Sequence, residues 1–208
     1  MANAREIDFA RLVSFDSSIR EEGYRILAGV DEAGRGAIAG PVVAAAVVCE
    51  PVDELRAVRD SKLISEPLRE ELYELIIGNA LSWGVGVVNA EEIDRLNILN
   101  ATLKAMAIAV GALDIRPDLV LVDGRKVPEL DLEARAIVDG DNRSFVIALA
   151  SIVAKVTRDR IMRGKEFEYP GYGFTRHKGY GTRQHIEAIK KLGVAPIHRK
   201  SFQVKELS

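Results

Sequence analysis

Residues 26 to 43 constrain the fold more than any other stretch: Ile-Leu-Ala-Gly-Val-Asp-Glu-Ala-Gly-Arg-Gly-Ala-Ile-Ala-Gly-Pro-Val-Val. An apolar run ends there in two adjacent carboxylates and then in closely spaced glycines. Ile26, Leu27 and Val30 suit a buried strand, yet Asp31 and Glu32 stand where that strand should still be packing. Two like charges at such a place are costly unless something positive joins them, and a divalent cation meets that need. Successive strand residues point to opposite faces, so both carboxylates can serve one site only if the strand stops or twists here. Ala33-Gly34-Arg35-Gly36 supplies the stop. Glycine lets the main chain approach a ligand, and Arg35 adds a planar, permanently charged donor suited to phosphate. Gly34 to Ala39 also matches a dinucleotide fingerprint, but that motif needs a helix to begin there, whereas Gly40-Pro41 and the following Val/Ala run indicate another strand.

A chain of 208 residues fits one α/β domain over 1–208, with 48% hydrophobic residues to build a core. No apolar run approaches the ~20 residues that span a bilayer, and the start lacks a signal-peptide apolar region, so the expected location is cytoplasmic. The single Cys49 excludes an internal disulfide and any multi-cysteine metal site. A net charge of −2 argues against nucleic acid only if charge is evenly spread, because screening confines exposed charges to roughly 8 Å. It is not evenly spread. From Asp141 onward there are 14 Lys or Arg against 6 Asp or Glu, while the first two thirds are acidic. A basic flank facing an acidic centre suits a metal-dependent enzyme acting on a polyanion.

Helix-like spacing over residues 8 to 22 predicts a lead-in helix, and Val42 to Cys49 a second strand antiparallel to the first. Ser65 as cap and Pro67 near the start predict a helix through Asn79, with Leu68, Leu72, Leu75 and Ile76 on its core stripe. A strand over Trp83 to Val88 is followed by one helix from Asn89 to about Leu113, facing inward through Ile93, Leu96, Leu99, Leu103 and Met106. Leu119 to Val122 is an apolar strand ending in Asp123-Gly124. Ala136 to Val138 is a shorter one before Asp139-Gly140-Asp141. Asn142 or Ser144 then caps a helix to about Arg163. Loops follow over Tyr169 to Phe174 and His177 to Gly181, and Thr182 caps a last helix to about Leu192. The order predicts an α/β fold with a mixed central β-sheet flanked by helices and a C-terminal helical extension.

Carboxylates thus recur at three strand ends: Asp31 with Glu32, Asp123, and Asp139 with Asp141. Ligand sites gather at the carboxyl ends of strands in open α/β sheets, and carboxylates with few histidines select Mg²⁺ or Mn²⁺ over zinc. Two such ions activate water and stabilise a leaving oxygen in phosphodiester hydrolysis. Asp159 lies 18 positions beyond Asp141 on one helix, roughly 27 Å away, so both cannot serve one site. Arg158, Arg160 and Arg163 around it make Asp159 a structural ion-pair partner.

Asp31-Glu32-Ala33-Gly34-Arg35-Gly36 followed by Gly40-Pro41-Val42 resembles the signature of ribonuclease HII, the type 2 ribonuclease H, as found in bacteria. Further blocks agree in order: Asp60-Ser61-Lys62, Glu92-Ile93-Asp94, Leu96 to Leu99, Val122-Asp123-Gly124, Gly140-Asp141, Ala150 to Asp159, Tyr172-Gly173-Phe174, His177 to Tyr180, and Pro196 to Arg199 with Ser201-Phe202. The resemblance covers about residues 26 to 202. It implies an RNase H-like fold and an endonuclease that hydrolyses the RNA strand of RNA/DNA hybrids. It also implies cleavage 5′ to single ribonucleotides in duplex DNA, as in ribonucleotide repair and replication, leaving 3′-OH and 5′-phosphate ends. By resemblance, Asp31, Glu32, Asp123 and Asp141 are catalytic and hold two Mg²⁺ or Mn²⁺ ions, in agreement with the strand-end argument. Gly34, Arg35 and Gly36 would meet the ribonucleotide 2′-hydroxyl, the group that distinguishes RNA from DNA. Tyr180 would pack on the sugar at the DNA side of the junction.

Lys62 would contact phosphate, with Lys155 and, in a substrate-binding segment over about 165–208, Lys178, Arg176 and Arg183 as further backbone contacts. His177, His185 and His198 have supporting or nucleic-acid roles at most. The partners expected are RNA/DNA hybrid and ribonucleotide-containing DNA, with no membrane, for a monomer. Two departures bear on affinity: Leu63 follows Lys62 where relatives commonly have a second basic residue, and Asp139 stands near a position often basic. Ribonuclease HIII usually differs between the two glycines and has an extra N-terminal domain, so Arg35 and the short lead-in argue against it. The remaining alternatives are a type 1 ribonuclease H, a resolvase-like nuclease, or a non-catalytic nucleic-acid-binding protein.

Overall fold

The computed structural model describes residues 4–58 and 64–203, so Lys62 and the departure at Leu63 lie outside the described residues. Helix α1 (Ala4–Glu21) leads into β1 (Leu27–Ala33) and β2 (Val42–Val48), then α2 (Glu66–Asn79) and β3 (Ser82–Val88). Helices α3 (Ala90–Leu96) and α4 (Ile98–Gly111) precede β4 (Leu119–Asp123) and β5 (Ala134–Ile137). Helices α5 (Phe145–Glu168), α6 (Phe174–His177) and α7 (Arg183–Leu192) complete the order. The sheet runs β3-β2-β1-β4-β5, with β1, β2 and β3 antiparallel and β4 and β5 parallel to β1 and to each other. This is the mixed sheet that the order of elements predicts.

Helices cover both faces. Leu27, Ala45, Val47, Leu119 and Leu121 pack with Phe145 to Val156 of α5. On the other face Val30, Ala44, Ala46, Val120 and Val122 pack with Ala101, Ala105 and Ala109 of α4. Close approach sets the position of α5: a Cβ on Gly29 would stand 2.1 Å from the carbonyl carbon of Val146, so only glycine lets the helix start lie on β1. That brings the first turns of α5 to the carboxyl end of β1. From the lead-in helix, Asp16 Oδ2 accepts the Val146 amide at 3.0 Å, and Phe9 meets Phe145 edge-on at 5.5 Å.

Several boundaries differ from expectation. The helix predicted from Asn89 to Leu113 is two helices, broken at Asn97, whose φ of 66° ends α3 while its side chain accepts the Asn100 amide to start α4. Leu99 and Leu103 are only partly buried; the inward face of α4 is its alanines with Met106. Ser65 has the extended backbone of a cap, but its hydroxyl makes no capping bond. Strand β5 begins two residues earlier than read, and α5 runs on to Glu168. Ser144 and Thr182 cap α5 and α7 as expected, accepting the amides of Ile147 and His185.

Candidate active site

Strand β1 does not stop at its carboxylates. Asp31, Glu32 and Ala33 continue the antiparallel ladder opposite Ala45, Ala44 and Val43. The opening arises on the other side, where β4 ends: one position beyond the paired Val30 and Val122 stand Asp31 and Asp123. Alternation sends Asp31 toward α5, where it hydrogen-bonds the Ser151 side chain, and Glu32 toward α4. Asp123 Oδ1 accepts the Gly140 amide at 2.6 Å, which folds the Gly140–Asn142 turn back onto the strand end. Asp141 is thereby buried at 4% exposure just ahead of α5, with Asn142 Nδ2 donating to it at 3.3 Å. The four carboxylates come from three elements that meet at one corner of the sheet.

Electrostatics there favour a cation. Asp31 is 6% exposed, and burial, then the charges of Glu32 and Asp123, hold its pKa well above the ordinary carboxylate value despite bonds from Ser151 and the Glu32 amide. A hard cation would relieve that repulsion, so the donor set suits Mg²⁺ or Mn²⁺. Among the described residues no three acidic, His or Cys side chains already form a closed metal cage. Arg35, exposed, holds its guanidinium 3.3 Å from Glu32.

The glycine loop after β1 is held by two arginines that the sequence reading did not assign to it. Arg158, fully buried, donates to the carbonyls of Pro41 at 3.0 Å and Ala39 at 3.2 Å. Arg199 donates to Gly40, Arg35 and Gly34 at 3.0, 2.9 and 2.8 Å. Burial lowers both pKa values, that of Arg199 to about 9, so both remain charged at neutral pH. The loop's two glycines have different reasons. Gly34 has φ +95°, and a Cβ there would stand 1.9 Å from Arg158 Nε. Gly36 is exposed, has no such φ, and a Cβ on it would meet nothing within 4 Å. Among the described residues nothing requires glycine at position 36.

Tyr180 lies beside this loop in the link between α6 and α7, because the neighbouring Gly179 carbonyl accepts the amides of Ile38 and Ala39. Its ring is 36% exposed, with Arg158 at 5.2 Å and the Lys155 ammonium at 5.8 Å from the centroid. Lys155 is held by Asp159 at 2.7 Å, and Asp159 also faces Arg69 at 3.8 Å. Asp159 is therefore structural, but its partners are Lys155 and Arg69, whereas Arg160 and Arg163 pair with Glu66, Glu70 and Glu74. Lys178 departs from its expected role: 7% exposed, it donates to the Thr175 carbonyl at 2.6 Å and pairs with Glu66 at 3.5 Å, a strut between α6 and α2. Arg176 and Arg183 are exposed on the same side. The three histidines are buried among Tyr172 and Phe174, and burial lowers all three pKa values.

A cavity of about 440 Å³ opens at the Glu32 and Asp123 edge. Leu99, Leu103, Met106 and Val138 line it with Arg35, Arg125, Lys126 and Asp139. Arg125 and Lys126 went unnoticed in the sequence, although two cations directly after a strand-end Asp-Gly were signal enough. A larger hollow beside Arg116, Asp118 and Asp131 lies at the opposite end of β4, and its groups are engaged internally: Asp118 accepts the Arg25 and Ile26 amides.

The family model described as Ribonuclease HII matches residues 28–205. A ribonuclease HII from Geobacter metallireducens is 54% identical over 196 residues, 94% of this chain and 92% of that protein. One from Acetivibrio thermocellus is 50% identical over 194 residues, 93% of this chain and 76% of that protein. Among solved structures, the RNase HII of the PCNA:RNase HII complex from Archaeoglobus fulgidus superposes with a TM-score of 0.73 at 27% identity, covering 87% of this chain and 96% of that one.

Proposed function

The chain belongs to the ribonuclease HII family, and from that premise we propose how its own residues carry out the reaction. It is an endoribonuclease acting on RNA/DNA hybrids. We assign it, further, cleavage 5′ to single ribonucleotides in duplex DNA, as a cytoplasmic monomer with one catalytic domain. Membership sets aside the type 1, resolvase-like and non-catalytic readings. The observation that carries the assignment is the buried Asp31 carboxylate crowded by Glu32 and Asp123 at the carboxyl end of the sheet, whose mutual repulsion a bound cation would relieve.

Asp31, Glu32, Asp123 and Asp141 would hold the divalent cations, Mg²⁺ or Mn²⁺. Bound there, such ions supply a water of lowered pKa and neutralise charge building on the phosphodiester. The residues of the chain do the rest. Ser151 orients Asp31, and the Gly140 amide orients Asp123, so two of the four ligands are fixed before substrate arrives. Arg35 leaves Glu32 for a phosphate oxygen as substrate seats. The bare Gly36 backbone faces the 2′-hydroxyl, which explains a glycine that folding does not demand. Hydrolysis 5′ to the ribonucleotide breaks the bond to the preceding 3′-oxygen, which departs as a 3′-OH, and water's oxygen stays on the 5′-phosphate. The 2′-hydroxyl is therefore read and not consumed. Tyr180 packs on the next sugar. Lys155, Arg183 and Arg176 line one flank of the backbone, with Arg125 and Lys126 on the other, and Lys62 is a further phosphate contact expected from the sequence.

The test is a DNA duplex with one ribonucleotide. The wild-type protein with Mg²⁺ or Mn²⁺ should cut once, 5′ to that nucleotide, and Asp123→Asn should bind the duplex without cutting it. Cleavage by Asp123→Asn at the wild-type rate, or no cleavage by folded, duplex-binding wild type, refutes the assignment.

A further inference from the structure

Behind Tyr180 lies a chain of buried imidazoles that the chemistry above does not use. His185 Nδ1 is 3.0 Å from the Tyr180 carbonyl, and His185 Nε2 is 3.1 Å from His198 Nε2. His198 Nδ1 lies 3.0 Å from the Ala195 amide nitrogen and 3.1 Å from the Ala195 carbonyl oxygen. Alongside, His177 is stacked on His185 with centroids 4.2 Å apart. Its Nδ1 accepts the Gly179 amide at 3.2 Å and its Nε2 meets the Tyr172 carbonyl at 2.8 Å.

The partners fix the protons of two of the three rings, and the contact between His185 and His198 then decides the third. A carbonyl only accepts, so His185 Nδ1 and His177 Nε2 carry hydrogen, and in neutral rings the other nitrogens accept. His198 Nδ1 faces both the amide and the carbonyl of Ala195, so the contact between the two Nε2 atoms decides its proton: with His185 Nε2 bare, His198 Nε2 donates to it and Nδ1 takes the amide. The opposite tautomer of His198 would set two lone pairs against each other at 3.1 Å. Burial, which depresses all three pKa values and that of His185 to about 4, keeps the rings neutral at working pH. The bonds nearest the tyrosine fall on two residues, Gly179 and Tyr180. The Tyr180 amide donates to His177 O, the Tyr180 carbonyl accepts from His185 and from the Thr182 amide, and Gly179 is held by His177.

We propose that this imidazole relay, through His185, is the positioning device for Tyr180, setting how strictly the enzyme demands a ribonucleotide followed by DNA. The proposal rests on the reading of Tyr180 as the residue packed on the sugar at that junction. Of the bonds on the Tyr180 carbonyl, the one from Thr182 is local and moves with the loop. The bond from His185 ties that carbonyl to α7, as the amide of Tyr180 is tied to α6 through His177 O, so the ring's height is referred to the helices on both sides. Arg158 and Lys155, beside the ring, limit its tilt but not the path of its backbone.

Two substitutions separate positioning from packing. In His185→Asn the amide nitrogen stands as many bonds from Cα as Nδ1 and can donate to the Tyr180 carbonyl. In His185→Gln the amide reaches the Nε2 position and serves His198 instead. The reading compares rates on a single-ribonucleotide duplex and on a uniform RNA/DNA hybrid, with melting temperature and amide exchange at residues 179–182 measured on each variant. Tyr180→Ala and His185→Gln should each lower the single-site to hybrid ratio about fivefold to tenfold, the weight of one lost hydrogen bond, while His185→Asn stays near wild type at a similar melting temperature. If Tyr180→Ala shifts the ratio and the two His185 variants do not differ, the relay is only packing and the inference fails alone. If Tyr180→Ala leaves the ratio unchanged, the reading of Tyr180 fails and takes the relay with it.

Discussion

Gly34→Ala and Gly36→Ala should fail in opposite ways, although the two positions are separated by one residue. At Gly34 the new Cβ needs a left-handed backbone, costing about 1–2 kcal/mol, and it lands 1.9 Å from Arg158 Nε. Arg158 must move, which loosens its bonds to the Pro41 and Ala39 carbonyls, each worth about 1.5–3 kcal/mol for a charged donor. The sum is about 4 kcal/mol or more, or a fall in Tm of about 10 °C or more for a chain of this size. At Gly36 the methyl meets nothing, so stability should stay within about 0.5 kcal/mol of wild type. Its cost should appear only with substrate: a methyl between backbone and 2′-hydroxyl displaces the ribonucleotide by about 1 Å, enough to lower kcat/KM on the order of 100-fold. Calorimetry and single-ribonucleotide cleavage on both variants check this. Cleavage at the wild-type rate by Gly36→Ala would show that substrate does not approach that backbone.

Three further outcomes are expected. Arg125→Ala with Lys126→Ala should raise KM for duplex with kcat unchanged and reduce the slope of log K against log salt by about 0.9 for each phosphate no longer neutralised; an unchanged slope removes both residues from the interface. Asp139→Asn should tighten duplex binding, since it removes a negative charge from the cavity edge while Asn tolerates the φ of +55° found there; unaltered affinity in a titration at low salt would mean that this charge does not face the substrate. Asp16 has its pKa raised from 3.8 to about 6, chiefly by burial. The folded state thus holds the proton more tightly than the unfolded chain, and stability is fully present below the unfolded pKa and lost as pH rises through about 6. Two pKa units correspond to about 3 kcal/mol, so the stability gained by Asp16→Asn over wild type should grow by about that much between pH 4 and pH 7 in urea titrations, and a difference constant with pH contradicts it.

What could be read from the chain and what could not divides along a physical line. Strands and helices follow from local periodicity, and Asp31, Glu32 and Asp123 stand out because charge is unexpected at the end of a buried strand, whereas Asp141, in a turn beyond the partly exposed β5, is singled out by the family resemblance. The break at Asn97 was hidden because the helical period of apolar residues runs unbroken from Ile93 to Met106 across it. Arg158 and Arg199 were hidden for a stronger reason. An arginine among charged neighbours reads as surface, and only the fold reveals that these two guanidiniums point inward to five loop carbonyls from 117 to 165 residues away in sequence.

That concealed pair changes what the glycine motif means. From the sequence, Gly34 and Gly36 form one motif with one purpose, the approach of backbone to ligand. In the fold, Gly34 makes room for the guanidinium that immobilises the loop, and Gly36 leaves bare the surface so immobilised. The two roles depend on each other. On the proposed reading the loop discriminates a single hydroxyl and must not yield when the wrong sugar arrives, yet its small side chains, with Ala39 and Ile38 packed in one cluster, give it little rigidity of their own. The rest is imported from α5 and the C-terminal segment as charged hydrogen bonds in a water-excluded setting. The basic excess of the last third of the chain is thus partly internal: some of its cations shape the recognition surface from beneath, and fewer remain to attract nucleic acid than a count of charges suggests.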